Sequence, residues 1–340
     1  MRKINLIAFI IFVNTSVLSA FSETVLTKNI QQFENIHGKT AVILYQPASG
    51  KIAYVYNPAL SYERSYPPGS VSKIFSSLIF LENQQAFDFL PEKKIFCNGK
   101  YYIPSGISVT TNDMNSLNIR TEPSGKKFLK CSGKHGAVDL HSAIIKSCNV
   151  YFLIHAEKNP RLFYSLLNEK WHLDKSTDAR LKNNREYIPS AKPETEHLKL
   201  LTSAIGEGGM LRISPLKLAQ TTGAFFERTQ FLSPYEENNF SPAMSRPFTV
   251  AADDYRRIYA ALGENHSTGT LRKLAFPSGI RILGSKTGTG THFQKKYSTH
   301  GWNTIYFEKK GIHYILISFV YNGTGSGAAK ILSEVVLKSL

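Results

Sequence analysis

The chain has 340 residues, three Cys and 42% hydrophobic residues, with 41 Lys and Arg against 25 Asp and Glu for a formal net charge of +16. That length buries a full core in one large domain or two ordinary ones, and 12% aromatic residues with ordinary Gly and Pro counts exclude disorder as the main state. Three Cys in so long a chain also exclude a small disulfide-framework fold.

Arg2 and Lys3 precede an apolar run from Ile4 to Val13, broken only by Asn5, and small residues follow at Ser19, Ala20 and Ser22. That order predicts a secretory signal over residues 1–22, cut between 19 and 22. The alternative is an uncleaved anchor over Ile4–Phe21, which Asn14, Thr15 and Ser16 weaken. Either way the chain is expected to be exported, to a periplasm or cell envelope. No Cys near the end of the segment is available for a lipid. The positive charge favours anionic surroundings such as cell-wall polymer or lipid headgroups. Basic residues never run more than two together, as at Lys93-Lys94 and Arg256-Arg257, and with export this argues against nucleic acid as a partner.

Helical spacing at Val25, Leu26, Ile30, Phe33 and Ile36 predicts a first helix that stops at Gly38. Ala41–Tyr45 and Ile52–Tyr56 read as strands around the turn Pro47-Ala48-Ser49-Gly50. Residues 60–280 are mostly helical patterns and long polar loops, with Tyr101–Ser124 and Arg228–Ser245 read as surface excursions. Asn303–Phe307 and His313–Val320 form a second apolar pair around Glu308-Lys309-Lys310-Gly311, and Ala328, Ile331, Leu332, Val335 and Val336 close the chain with a helical face. Strands at both ends with helices between them predict an α+β fold: an antiparallel sheet built from both chain ends, flanked by helices, with a mainly helical lobe inserted. No Pro/Ser/Gly linker divides the chain, so residues 23–340 are expected to form one domain.

Three short motifs carry chemistry. After Pro67-Pro68-Gly69, the spacing of Val71, Ile74, Phe75, Leu78 and Ile79 starts a helix near Ser70. Ser70 and Lys73 then share one face of its first turn, at the positive end of the helix. A serine becomes a nucleophile when a base takes its proton, and a desolvated lysine is such a base; alone, the pair also fits an N-cap and a solvent-facing Lys. Ser147-Cys148-Asn149 falls where the helical spacing of Leu140, Ala143 and Ile144 gives way to Val150-Tyr151-Phe152. On a turn between helices Ser147 could relay a proton and Asn149 could bond a substrate amide, or the triplet could simply cap a helix. Lys286-Thr287-Gly288-Thr289 follows the strand-like Ile280–Leu283. Lys286 and Thr287 suit a carboxylate, and Gly288 would let a substrate backbone approach. A phosphate loop fails here by one residue, because Ser285 stands where Gly279 and Gly284 would require Lys.

Ser-x-x-Lys, Ser-x-Asn and Lys-Thr-Gly in this order resemble the set found in penicillin-binding proteins and serine β-lactamases. The chain is similar to a penicillin-binding protein transpeptidase domain over nearly all of residues 38–340. Further similar stretches are the hairpin Ala41–Ile52 with Asn57-Pro58-Ala59, Phe96-Cys97-Asn98-Gly99, Cys131 to Asp139, Ile205-Gly206-Glu207-Gly208 with Ile213–Ala219, and His300-Gly301-Trp302. The resemblance implies a β-lactamase/transpeptidase-like fold and a D,D-transpeptidase that acts on D-Ala-D-Ala stem peptides of peptidoglycan through a Ser70 acyl-enzyme. It implies Ser70, Lys73, Ser147 and Lys286 as catalytic and Asn149, Thr287, Gly288 and Thr289 as substrate-binding, with β-lactam antibiotics acylating the same serine. A glycosyltransferase or other cell-wall protein is an implied partner. A D,D-carboxypeptidase or a class D-like β-lactamase would share most of these residues, although class D enzymes typically carry Ser-x-Val in place of Ser147-Cys148-Asn149. A non-catalytic wall-binding or scaffold member is a further alternative.

Many members carry Gln where Glu207 stands, and no pedestal or glycosyltransferase domain precedes the domain in this sequence, so a stand-alone form is expected. Cys97 and Cys131 could pair in an oxidising compartment, and Cys148 reads as packing. His135 and His141 read as surface or cap residues, and no metal or organic cofactor is implied.

Overall fold

The computed structural model describes residues 22–62, 64–171, 196–208, 210–227, 250–291, 299–325 and 327–340. Residues 1–21 of the expected signal segment and the stretch Arg228–Ser245 lie outside them. Among the described residues no helix is long and apolar enough to cross a membrane.

Helix α1 (Glu23–His37) starts at Ser22, whose Oγ accepts from the Val25 N–H at 3.3 Å, and ends at Gly38 with φ +91°. The hairpin β1 (Thr40–Gln46) and β2 (Lys51–Tyr56) follows, then α2 (Pro58–Tyr62), a 3-10 turn at Gly69–Ser72 and α3 (Lys73–Glu82). α3 is buried on every face from Lys73 to Leu81. A helix in that position must satisfy its own polar groups, and Ser76 and Ser77 donate to the carbonyls of Ala204 and Lys73 at 2.8 and 2.7 Å.

The lobe that comes next is not only helical. β3 (Ile95–Cys97) pairs with β7 (Gly136–Val138), and β4 (Lys100–Tyr102) and β5 (Arg120–Thr121) flank β6 (Lys127–Lys130). Between β4 and β5 lies α4 (Thr111–Ser116), opened by a Thr110–Asp113 capping box. The stretch Tyr101–Ser124 is therefore part of a small sheet and not a plain surface excursion. Strands of two to four residues are too short to display a period of two. α5 (Leu140–Ile145), α6 (Asn149–Ala156), α7 (Pro160–Trp171) and α8 (His197–Thr202) complete the lobe, and α9 (Pro215–Glu227) and α10 (Ala252–Glu264) return the chain to the sheet.

β8 (Ile280–Thr291), β9 (Thr299–Lys309) and β10 (Ile312–Val320) form an antiparallel meander, and α11 (Ala328–Ser339) ends the chain. β10 pairs with β1, Ile317 opposite Ile43, giving the order β2-β1-β10-β9-β8. The sheet is thus built from both chain ends, as expected. Its two faces bury different partners. Val42, Leu44, Tyr314 and Leu316 pack against α1 and α11 through Leu26, Ile30, Leu332 and Val336. Ile43, Tyr45, Ile315 and Ile317 join the core that contains α3 and α9. Covered on both sides, β1 and β10 read as continuous apolar runs. The outer strand β8 lies against the turn that begins α3, and this contact makes the cleft.

Candidate active site

The three motifs converge on one cleft of about 440 Å³, lined by Ser70, Ser147, Asn149, Thr287, Gly288 and Thr289 among others. Ser70 stands in the 3-10 turn, and Lys73 is the first residue of α3, so the helix proper begins three residues later than the apolar spacing suggests. Gly69 has φ +55°, and a Cβ there would lie 2.2 Å from the Thr289 carbonyl oxygen. Trp302, wholly buried on β9, donates its Nε1–H to the Pro67 carbonyl at 2.8 Å and holds the approach to the turn.

Ser147-Cys148-Asn149 forms the link between α5 and α6, the predicted location. Ser147 adopts φ +55°, uncommon for a residue with a side chain. In that conformation both its carbonyl and its hydroxyl meet Lys73 Nζ, at 2.7 and 3.4 Å. Asn149 Oδ1 accepts from Lys73 Nζ at 2.6 Å, while Asn149 Nδ2 donates to the Lys130 carbonyl at 3.2 Å, which orients the amide. From β8, Lys286 Nζ reaches Ser147 Oγ at 3.0 Å and the Thr287 carbonyl at 3.1 Å. Thr287 Oγ1 donates to Thr270 Oγ1 at 2.8 Å, and Thr289 Oγ1 accepts from the Gly325 N–H at 3.0 Å.

Gly288 departs from expectation. A Cβ there would sit 2.5 Å from the Pro68 carbonyl oxygen and 2.9 Å from the Val71 nitrogen. The close approach is made by the protein's own serine turn, because β8 packs backbone against backbone on it. Gly290 repeats the device, with a Cβ 2.0 Å from the Pro67 carbonyl oxygen.

Lys73 and Lys286 are both fully buried. Burial pushes Lys73 down to about 8, and burial with the neighbouring Lys73 charge pushes Lys286 well below its ordinary value. Desolvation is thus the chief cause at both lysines. Lys73 Nζ has three contacts at 3.0 Å or less. Two are to oxygens that can only accept, the Ser147 carbonyl and Asn149 Oδ1, and the third is to the Ser70 hydroxyl at 3.0 Å. A neutral amine spends its two N–H groups on the first two and leaves its lone pair facing the Ser70 hydroxyl. That arrangement can withdraw a proton from Ser70.

Thr270 in the cleft and Asn265 behind it have no motif of their own in the sequence. Thr270 supports Thr287 and is itself held by Asn265, whose Oδ1 accepts from the Thr270 N–H at 2.8 Å. Asn265 also donates to the Ser285 carbonyl at 2.9 Å. Glu207 does face the cleft, accepting from the Thr291 N–H at 3.0 Å, and burial pushes its carboxyl up to about 7.

The pairing open to Cys97 and Cys131 is not formed here; all three cysteines are free and buried. His135, expected at the surface, is half-buried with Nδ1 at 3.7 Å from Cys97 Sγ and 3.6 Å from Cys131 Sγ. His141 is half-buried too, and pairs with Glu264 at 3.3 Å.

Residues 40–339 match the model of one protein family, described as penicillin binding protein transpeptidase domain. No match is found among curated proteins. Among solved structures, the apo transpeptidase domain of Burkholderia pseudomallei penicillin-binding protein 3 is similar with a TM-score of 0.69 at 15% identity, over 94% of this chain and 92% of that one. Penicillin-binding protein A from Mycobacterium tuberculosis, described as a ceftriaxone acyl-enzyme complex, has a TM-score of 0.69 at 17% identity, over 93% and 77%. The penicillin-binding protein PBP2 of Helicobacter pylori, solved in complex with MreC, has a TM-score of 0.68 at 19% identity, over 92% and 62%.

Proposed function

Since this chain belongs to the penicillin-binding protein transpeptidase domain family, we propose that it is a D,D-transpeptidase that cross-links peptidoglycan through an acyl-enzyme on Ser70. The observation that carries the reading is the set of contacts at Lys73 Nζ: two fixed acceptors and one hydroxyl, around an amine whose burial favours the neutral form.

In the reaction, Ser70 Oγ attacks the carbonyl between the two terminal D-Ala residues of a stem peptide. Neutral Lys73 takes the Ser70 proton, and Ser147, in contact with both lysines, passes a proton to the departing amine. The C–N bond breaks, D-Ala leaves, and the peptide remains as an ester on Ser70. The backbone N–H groups of Ser70 and Thr289 serve the developing oxyanion, a contribution of roughly 3 kcal/mol per donor. Lys286 and Thr287 receive the terminal carboxylate, and Asn149 combines holding Lys73 with bonding the peptide amide. An amine of a neighbouring stem peptide then takes the acyl group and frees Ser70. β-Lactams acylate the same serine, in keeping with the acyl-enzyme described for the M. tuberculosis protein. Residues 1–22 direct export to the cell envelope, where a glycosyltransferase or another wall protein would bring the glycan strands.

Intact mass of the protein incubated with benzylpenicillin, beside Ser70→Ala, tests this. A lasting penicilloyl adduct that is absent from the variant is expected. Drug hydrolysis without an adduct would make the protein a β-lactamase, and intact drug with folded protein would remove the acyl-enzyme reading. D-Ala release without cross-linked product would reassign it as a carboxypeptidase.

A further inference from the structure

Directly behind the Ser147–Asn149 turn, four side chains from separate stretches of chain point at one another. Cys97 ends β3, Cys131 follows β6, His135 precedes β7, and Cys148 caps α6. The three sulfur atoms and a nitrogen of His135 all lie within 4.8 Å of one another. Three of the six separations are 3.9 Å between the Cys131 and Cys148 sulfurs, and 3.6 and 3.7 Å from His135 Nδ1 to Cys131 and Cys97. A tetrahedral zinc ion with Zn–S of about 2.3 Å and Zn–N of about 2.0 Å has ligand-to-ligand edges of roughly 3.5–3.8 Å. Those three separations lie close to such edges, and the others stay within 4.8 Å. A disulfide would leave one of three thiols over, and 3.9 Å is far from a sulfur–sulfur bond of about 2.05 Å.

We propose that Cys97, Cys131, His135 and Cys148 bind one zinc ion in a closed Cys3His site that clamps the Ser147–Asn149 turn. Four protein ligands leave no open position, so the site is structural and not hydrolytic. Zinc displaces the three thiol protons to solvent with no change of oxidation state.

Three independent features favour this occupant. One of the sulfurs is already a hydrogen-bond acceptor from the backbone: the Asn149 N–H donates to Cys131 Sγ at 3.1 Å, the kind of support a thiolate ligand has around it. The complex of Zn²⁺ with three thiolates and an imidazole carries one net negative charge. Lys130, Lys134 and Lys146 flank its ligands in sequence, and Lys146 Nζ donates to the His135 carbonyl at 3.3 Å. Finally, β3 and β7 are three residues each, a pairing too small to be stable alone, and the four ligands tie it to β6 and α6. Cys148 sits between Ser147 and Asn149, so the ion would fix the residues that hold Lys73 without touching substrate. The clamp rests on the proposed role of that turn; the metal site does not.

The test is metal content of the full chain purified without chelator, with His135→Ala and Cys97→Ser beside it. About one zinc per chain is expected, falling at least tenfold in either variant. Should the variants fail to fold, metal-stripped wild-type protein titrated with Co(II) decides the matter: tetrahedral thiolate absorption bands support the site. Folded protein that takes up neither metal, or an intact mass two units low from a disulfide, overturns it. Stripping should slow benzylpenicillin acylation at least tenfold and Zn(II) should restore it; an unchanged rate overturns the clamp and leaves the metal site. Ser70→Ala should keep its zinc, so failure of acylation and failure of metal binding remain separable.

Discussion

The two walls of the cleft are built by opposite means. The wall made by β8 and the serine turn relies on absent side chains: Gly69, Gly288 and Gly290 let backbone lie on backbone with no room for a methyl group. The wall made by the lobe relies on side chains that are present, with Ser147 and Asn149 reaching Lys73 and three buried cysteines and His135 packed behind them. A backbone-to-backbone wall has few ways to move, so Ser70, the proposed nucleophile, is set by the rigid side. The lobe wall owes its position to polar contacts between distant parts of the chain, and from that side Ser147 and Asn149 hold the Lys73 amine. Precision at the nucleophile and adjustable basicity at its partner are assigned to different structural materials.

Lys73→Met joins the two walls by packing alone and removes the base. Acylation by benzylpenicillin should fall roughly 10²–10⁴-fold in stopped-flow or mass measurements. In the native protein the same rate should climb as pH rises through about 8, where Lys73 loses its proton; a flat profile would show that Lys73 is not the base.

Gly288→Ala attacks the rigid wall alone. The added methyl meets backbone atoms of Pro68 and Val71, which cannot rotate away, so a loss of about 1–3 kcal/mol in denaturant unfolding is expected. Displacing the serine turn by an ångström should also slow acylation roughly 100-fold. Asn149→Ala attacks the other wall and deletes the 2.6 Å acceptor of Lys73. Its acylation rate should fall only about tenfold, near the worth of one hydrogen bond. If the two variants lose the same activity, the distinction between the walls is not functional.

Glu207→Gln is the mildest change, and it isolates one titration at the meeting of the walls. The folded-state value near 7 lies above the ordinary 4.5, so the folded protein holds this proton more tightly than the unfolded chain. The contribution is complete below 4.5 and is lost as pH rises through about 7. The variant has no such proton to lose. Its melting temperature relative to the parent should therefore increase between pH 5 and 8, a shift of a few degrees in thermal unfolding at matched buffers.

Much of this molecule is legible in one dimension. The strands at both ends, the helix over α3 and the turn at Ser147 follow from short-range spacing of apolar residues, a local property. The three motifs are also local, so their residues could be named before any contact between them was known. The small sheets between residues 95 and 138 were not legible, because strands of two to four residues give no periodic signal.

The remainder depends on residues meeting across long intervals of sequence. That Lys73 loses basicity mainly through burial required the lobe to close over it. That Gly288 accommodates the serine turn required β8 to pack there, since a glycine does not declare its neighbour. Cys97 and Cys148 lie too far from Cys131 and His135 in sequence for the four to read as a set, and only the junction of two small sheets and α6 brings them within 4.8 Å. The sequence alone determined which chemical groups the protein carries and the local geometry of each. Only the tertiary structure decided which of them are desolvated and which share a partner, because both depend on what the rest of the chain excludes from the cleft.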